Sequence, residues 1–281
     1  MRKKHIFPLL LLTFMAILIL LPVVLTFLYS FFSPQEISEF MKTRNNYGET
    51  LMEVKLSPQM VSLDQYWNVL IEDMSILRYY LNSILFTLAI LLGQTLIIPA
   101  LAYALSRFQF PGRDALAFLI IMLLLLPFQV TMVPTVLMLR SLGLLNTAWA
   151  IILPTVASPF YVFLLRQNMI GIPKELFEAA QMDGAGPIRC FFHIALPASK
   201  PILGAALALS FADCWNMVEQ PLVFLPNNTT LYPLSVTFNQ LSERSTGIEF
   251  AGAALYLLPS LLIYLFFQKD IMTGVQLSEL K

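Results

Sequence analysis

The sequence predicts an all-α polytopic membrane protein with six transmembrane helices. Three observations carry that prediction. Hydrophobic residues make up 58% of the 281 residues and charged ones only 12%, where a soluble domain carries roughly 25% charged. The apolar residues collect in runs long enough to cross a hydrocarbon core of about 30 Å. Those runs are continuous rather than alternating, and backbone in lipid must bond within its own segment, so helices fit and barrel strands do not.

In chain order the expected spans are Ile6–Phe32, Leu77–Leu105, Leu116–Leu139, Ala148–Leu165, Ile202–Leu225 and Phe250–Phe267. The first follows Arg2-Lys3-Lys4. Its run is too long for a cleaved signal's apolar region and no A-x-A-like site follows, so it reads as a retained signal anchor. Prolines 99, 127, 134, 154 and 159 fall inside or at the ends of the middle spans. Each removes a backbone donor and tends to bend its helix, which serves either as a tolerated kink or as part of a lined pathway.

Lys and Arg set the direction. With the N-terminus in the cytosol, eleven of the seventeen cations fall inside and six outside, and the outer segment from Ser33 to about Ile76 is rich in acids. Both termini are then cytosolic, as is the segment between spans four and five. The zero net charge, with no Lys/Arg tract interleaved with aromatics, gives no basis for nucleic-acid binding; the bilayer is the partner that composition demands. Cys190 and Cys214 fall in different environments and read as small apolar residues rather than a disulfide. His5 and His193 share no metal spacing, and Asn227-Asn228-Thr229-Thr230 reads as a plain outer loop.

The segment from Lys174 to Pro201, "KELFEAAQMDGAGPIRCFFHIALPASKP", stands out among the apolar runs. Pro173 and Glu175 suit the first turn of a helix over Lys174–Met182, Asp183-Gly184 suits its end, and Gly186-Pro187 starts a second helix to about Ala195. Leu176, Phe177, Met182, Ile188, Phe191, Phe192 and Ile194 exceed what a solvated loop needs. They form either a partner surface or a layer packed under the protein's own spans, and the residues alone leave both open.

The spacing Glu178-Ala179-Ala180, Asp183-Gly184-Ala185, Ile194-x-Leu196-Pro197 and Pro201 resembles the EAA loop of the membrane-spanning subunits of ATP-binding-cassette importers. The likeness extends over most of the chain. "YYLNSILFTLAILLGQTLIIPALAYALSRFQFPGR", "LLPFQVTMVPTVLMLRSLGLLNTAWAIILP" and "WNMVEQPLVFL" are similar to the sugar-importer branch, the maltose-transporter-type permeases in particular. The resemblance implies a type I importer permease fold, with residues 1–76 as signal-anchor helix and extracytoplasmic loop. Residues 77–281 would then be a five-helix core holding the coupling loop at about 171–201. It also implies a bacterial inner-membrane permease subunit without catalytic residues or a cofactor of its own. Its partners would be a second permease in a heterodimer, two cytosolic ATPases that bind the ATP, and an extracytoplasmic solute-binding protein. Carried over by position, Glu178, Ala179, Ala180, Asp183, Gly184 and Ala185 form the coupling element, supported by Ile194, Leu196 and Pro197. No glycine in the chain precedes a lysine, so the phosphate-binding G-x-x-x-x-G-K-[ST] loop is absent. The tail "FQKDIMTGVQLSELK" departs from the family's glycine- and alanine-rich ending, so no ATPase contact is carried over to it.

Candidate pathway residues are fewer. Asp213 lies inside the fifth expected span, where an ionisable group costs at least about 2.5 kcal/mol on insertion scales and should face the bundle interior. Trp215 and Asn216 follow, a combination of ring and polar group that suits sugars, and Gln129, Asn82 and Gln94 are further polar points. Each could equally bond a neighbouring helix. A sugar or oligosaccharide is the expected cargo, with glycerol phosphate or a polyamine as the alternative; a phosphate would call for Arg or Lys in the cavity. A membrane-embedded enzyme would need clustered catalytic groups, which only Asp213 and Cys214 approach.

Overall fold

The computed structural model describes residues 6–39, 56–72, 74–238 and 248–279. Its helices are α1 (Ile6–Tyr29), α2 (Met74–Arg107), α3 (Arg113–Leu125), α4 (Phe128–Ser141), α5 (Ala148–Val156), α6 (Pro159–Ile170), α7 (Lys174–Met182), α8 (Pro187–Ala198), α9 (Lys200–Trp215), α10 (Glu219–Phe224) and α11 (Glu249–Glu279). Among the described residues, Pro8–Tyr29, Met74–Arg107, Ala148–Ile170 and Glu249–Lys269 are each long and apolar enough to cross a membrane. The bent pairs α3–α4 and α8–α9 pass the same length and composition test only when each pair is taken together, which gives up to six spans.

The chain divides into two compact units: Met1–Tyr80 with Thr237–Pro259, and Leu81–Val236 with Ser260–Lys281. In the first, α1 exposes Leu9 through Leu21 on every side, which lipid or another apolar surface must cover. Its far end is fixed. Gln65, wholly buried, donates through Nε2 to the carbonyls of Tyr29 (2.8 Å) and Phe32 (2.7 Å), and its Oε1 accepts from the Ala251 amide. One amide side chain thereby satisfies carbonyls that a helix end leaves open. Tyr29, Phe32 and Ile37 pack with Phe250 around it.

In the second unit α2 is the central post. Gly93 lies so close to α5 that a Cβ there would sit 2.7 Å from Val156 Cγ2 and force that side chain to shift. The core of Ile98, Ala102, Tyr103, Leu105, Tyr161, Val162, Leu165 and Met169 lies between α2 and α6.

The prolines act unequally. α3 and α4 meet at 113° across Leu126–Pro127, because Pro127 drives the residue before it out of helical conformation; Leu126 has ψ 126°. Pro159 opens α6 after the break at Ala157–Ser158. Pro99, Pro134 and Pro154 lie inside continuous helices. The fifth expected span, Ile202–Leu225, is corrected: α9 stops at Trp215 and α10 restarts at Glu219. Glu219 and Pro221, an acid and a proline, occupy the first turn of that new helix and favour a restart over continuation. Asn227 and Asn228 have a structural task, bonding the backbone-strained Asn146 (φ 64°) through its side-chain and main-chain oxygens.

Candidate functional site

α7 begins where the sequence places it, after the extended Pro173 and with Glu175 in its first turn. Its end explains the spacing of the motif. Gly184 adopts φ +81°, its amide donates to Gln181 O, and the Ala185 amide donates back to Ala180 O, both at 2.9 Å. This pair of bonds is the glycine-terminated closure that satisfies the last carbonyls of a helix. The two residues that such a closure brings together are Ala180 and Ala185, and both are half-buried against the core.

The apolar residues of the segment divide between the two roles. Phe177 is buried, Phe191 and Ile194 pack partly buried against the same core, and Leu196 is half-buried. Leu176 (52% exposed), Met182 (89%), Ile188 (75%) and Phe192 (56%) face outward, beside exposed Glu178, Ala179, Asp183 and Pro197. Between the two short helices lies a groove of about 270 Å³, lined in part by Ala180, Asp183, Arg189 and His193.

Two residues that the motif does not contain hold the segment in place. Arg107, the last residue of α2, donates through Nη2 to Met169 O (2.5 Å) and Ile172 O (2.6 Å), and its guanidinium lies 4.1 Å from the centre of the Phe177 ring. It thus clamps the junction between α6 and α7. A cation there also suits the negative end of α6, and hydrogen bonds from a charged donor contribute about 1.5–3 kcal/mol each. Tyr103, one turn earlier, donates its hydroxyl to Pro187 O (3.2 Å) and packs on Phe191 and Phe177. Arg107 counts only toward orientation in the sequence, and its acceptors, two backbone carbonyls, leave no signal there that marks it as a clamp. Two polar atoms near this junction remain unpaired, Arg107 Nε and Asn168 Oδ1, at a cost of about 1–3 kcal/mol each.

The pathway candidates do not form one cluster. Asp213 is exposed on α9 and accepts the Tyr161 hydroxyl at 2.7 Å. Asn216 is exposed at the helix end and donates to Ala212 O. Gln129, at the start of α4, donates to the Glu219 carboxylate at 3.2 Å, which joins the two helix breaks. Trp215, by contrast, is buried and stacked on Phe211 at 5.5 Å. Asn82 is half-buried and donates to Thr230 O and Tyr232 O, fixing the loop after α10. Gln94 is buried; it donates to Thr155 O (3.0 Å) and accepts from Ser210 Oγ (2.5 Å), tying α2, α5 and α9 together. Cys190 and Cys214 are both free and buried.

A family profile described as "Binding-protein-dependent transport system inner membrane component" matches residues 95–269, which include both helix breaks and the whole of α7 and α8. The chain belongs to that family. It is therefore an inner-membrane, multi-pass and non-catalytic permease component of the ABC importers. Among its relatives is an arabinooligosaccharides transport system permease protein of Halalkalibacterium halodurans, 30% identical over 80% of this chain and 81% of that one. Another is an sn-glycerol-3-phosphate transport system permease protein of Pectobacterium atrosepticum, 32% identical over 71% and 72%. A chain in the crystal structure of a bacterial ABC transporter involved in the import of the polysaccharide alginate shares the fold. Its TM-score is 0.78 at 24% identity, over 96% of this chain and 98% of that one. The fold is thus the type I importer permease fold.

Proposed function

We propose that the chain forms half of the translocation pathway of a bacterial importer for a sugar or oligosaccharide, paired with a second, different permease. Two cytosolic ATPases power the pair, one of them docking on Lys174–Pro201 of this chain, an extracytoplasmic binding protein delivers the solute, and both termini lie in the cytosol. Residues 1–76 act as anchor and outer loop, and 77–281 as the core. The observation that carries the docking role is the division of α7 and α8 into one face clamped to α2 and another that leaves Glu178, Ala179, Asp183, Met182 and Ile188 outward. Gly184 closes α7 and presents Asp183 beside it, while Ala180, Ala185, Ile194, Leu196 and Pro197 set the angle of that surface.

The sugar reading is supported by the Halalkalibacterium relative and by the uncharged and acidic groups on the exposed end of α9. Asp213, Asn216 and Gln129 reach the pathway directly, whereas Trp215 and Asn82 support it from behind. The Pectobacterium relative favours glycerol phosphate as a second reading. Against it, residues 201–242 contain Asp213 and Glu219 but no Lys or Arg, and two carboxylates repel a phosphate where cations would bind it.

The test is uptake by vesicles containing the complete complex, offered labelled arabinooligosaccharides or sn-glycerol-3-phosphate. ATP-dependent uptake of the saccharide alone agrees with the proposal; uptake of the phosphate alone replaces it with the second reading. Gly184→Asp places a side chain at φ +81° on the docking surface. It should abolish uptake at unchanged membrane levels, and full uptake would remove the docking claim.

A further inference from the structure

Helix α2 is gripped at three heights by parts of the chain far away in sequence. At its lower end Arg107 and Tyr103 hold the α6–α7 junction and the start of α8. About thirteen residues and roughly 20 Å higher, at 1.5 Å per residue, Gln94 bonds α5 and α9 at once. Near its upper end Ser83 accepts the Leu234 amide, next to the bonds of Asn82. The middle grip lies on α9 within one turn of Asp213: Ser210, which bonds Gln94, is three residues before it.

A loop joined to the bundle only through α6 and α9, its chain neighbours, would not need the lower grip. We propose that α2 is a lever for the transport stroke and that Arg107 is its positioning residue. When a docked partner moves α7, Arg107 passes that displacement along α2, which runs unbroken through Pro99, to Gln94, and from there to the Asp213 face of α9. The proposal rests on the importer reading above. The junction also has the makings of a two-state element, which such a transmission requires. Arg107 Nε is a buried donor and Asn168 Oδ1 a buried acceptor, each without a partner, on the two elements the clamp joins. A shift of α6 against α2 that paired them would give the clamp a second satisfied arrangement, and a packed interface switches between such arrangements rather than deforming smoothly.

The experiment uses the complex purified with its co-expressed ATPases. Cys190→Ala and Cys214→Ala remove the native thiols, and Asn216→Cys introduces one on the pathway face. A fluorescent maleimide reports that thiol's labelling rate with and without ATP and vanadate. In this parent the two rates should differ by about fivefold or more, the scale of typical coupling. Arg107→Ala should bring them to near equality while the ATPases still co-purify, and Arg107→Lys, which keeps the charge and a donor, should restore an intermediate difference. A residue that only stabilised the α6 end would leave the ATP response intact in molecules that assemble, so an undiminished response in Arg107→Ala overturns the proposal. If Arg107→Ala fails to assemble, Tyr103→Phe decides, since it removes one hydroxyl: a reduced response supports the lever and an unchanged one overturns it. A parent that does not respond to ATP contradicts the importer reading itself.

Discussion

In the Lys174–Pro201 segment the residues that act together are neighbours in the chain, whereas around the end of α9 they come from four different helices. Ala180, Gly184 and Ala185 meet because one helix closure brings them together. Asp213 meets Tyr161 from α6, and Glu219 meets Gln129 from α4. The first arrangement is local and survives as long as α7 forms. The second exists only once α4, α6, α9 and α10 are packed. A helix closure is written into a continuous stretch of sequence, while contacts between helices far apart in the chain depend on the packing of the whole unit.

That contrast can be broken at several points. Phe177→Ala should have the largest effect, because it empties the buried anchor of α7 and the ring under Arg107. Phe-to-Ala changes in a core cost about 3–5 kcal/mol. A lowered unfolding midpoint in detergent should therefore accompany loss of ATPase co-purification; retention of both would show that the segment is not held from below. Gly93→Ala comes next. Its Cβ meets the stiff Val156 side chain, and overpacking of this kind costs about 1–3 kcal/mol. Val156→Ala in the same chain should recover most of the loss in midpoint. Asp213→Ala leaves the buried Tyr161 hydroxyl without its acceptor, at about 1–3 kcal/mol, and should reduce uptake more than Tyr161→Phe does; equal uptake defects would mean that the carboxylate acts only through the tyrosine. Ile188→Ala is the smallest change in stability, within about 0.5 kcal/mol for a residue so exposed. It should still weaken ATPase co-purification, and a variant indistinguishable from the parent would remove Ile188 from the docking surface.

How far the sequence reached follows the same division. Run lengths placed four spanning helices and the two bent pairs, and proline, acid and glycine positions placed α7, because each of those signals acts within a few residues. The break after Trp215 was missed: the run from Ile202 to Leu225 is apolar throughout except at Ser210, Asp213, Asn216, Glu219 and Gln220, and hydropathy averages over such points. Pro127 broke its span, whereas Pro99, Pro134 and Pro154 did not; neighbouring helices decide which bends persist. Trp215 and Asn82 were legible as polar or aromatic points in apolar runs, but their direction was not. One turns into the Phe211 stack and the other into a loop. Arg107 was invisible as a clamp because both its acceptors are backbone carbonyls more than sixty residues away, and carbonyls have no sequence signature.

The central claim is that the outward face of α7 grips an ATPase. It is tested most directly by placing a thiol at its most exposed apolar point, Met182→Cys, and treating membranes of cells that express the whole complex with a short reagent that carries a maleimide at one end and a photoreactive benzophenone at the other, which needs no thiol on the ATPase. A covalent product with the summed mass of this chain and the ATPase, recognised by antibodies to both, is the predicted result, while Val24→Cys on the lipid-exposed side of α1 gives none. Labelling of Met182→Cys without that product, in membranes where ATPase and permease are both present, would contradict the account.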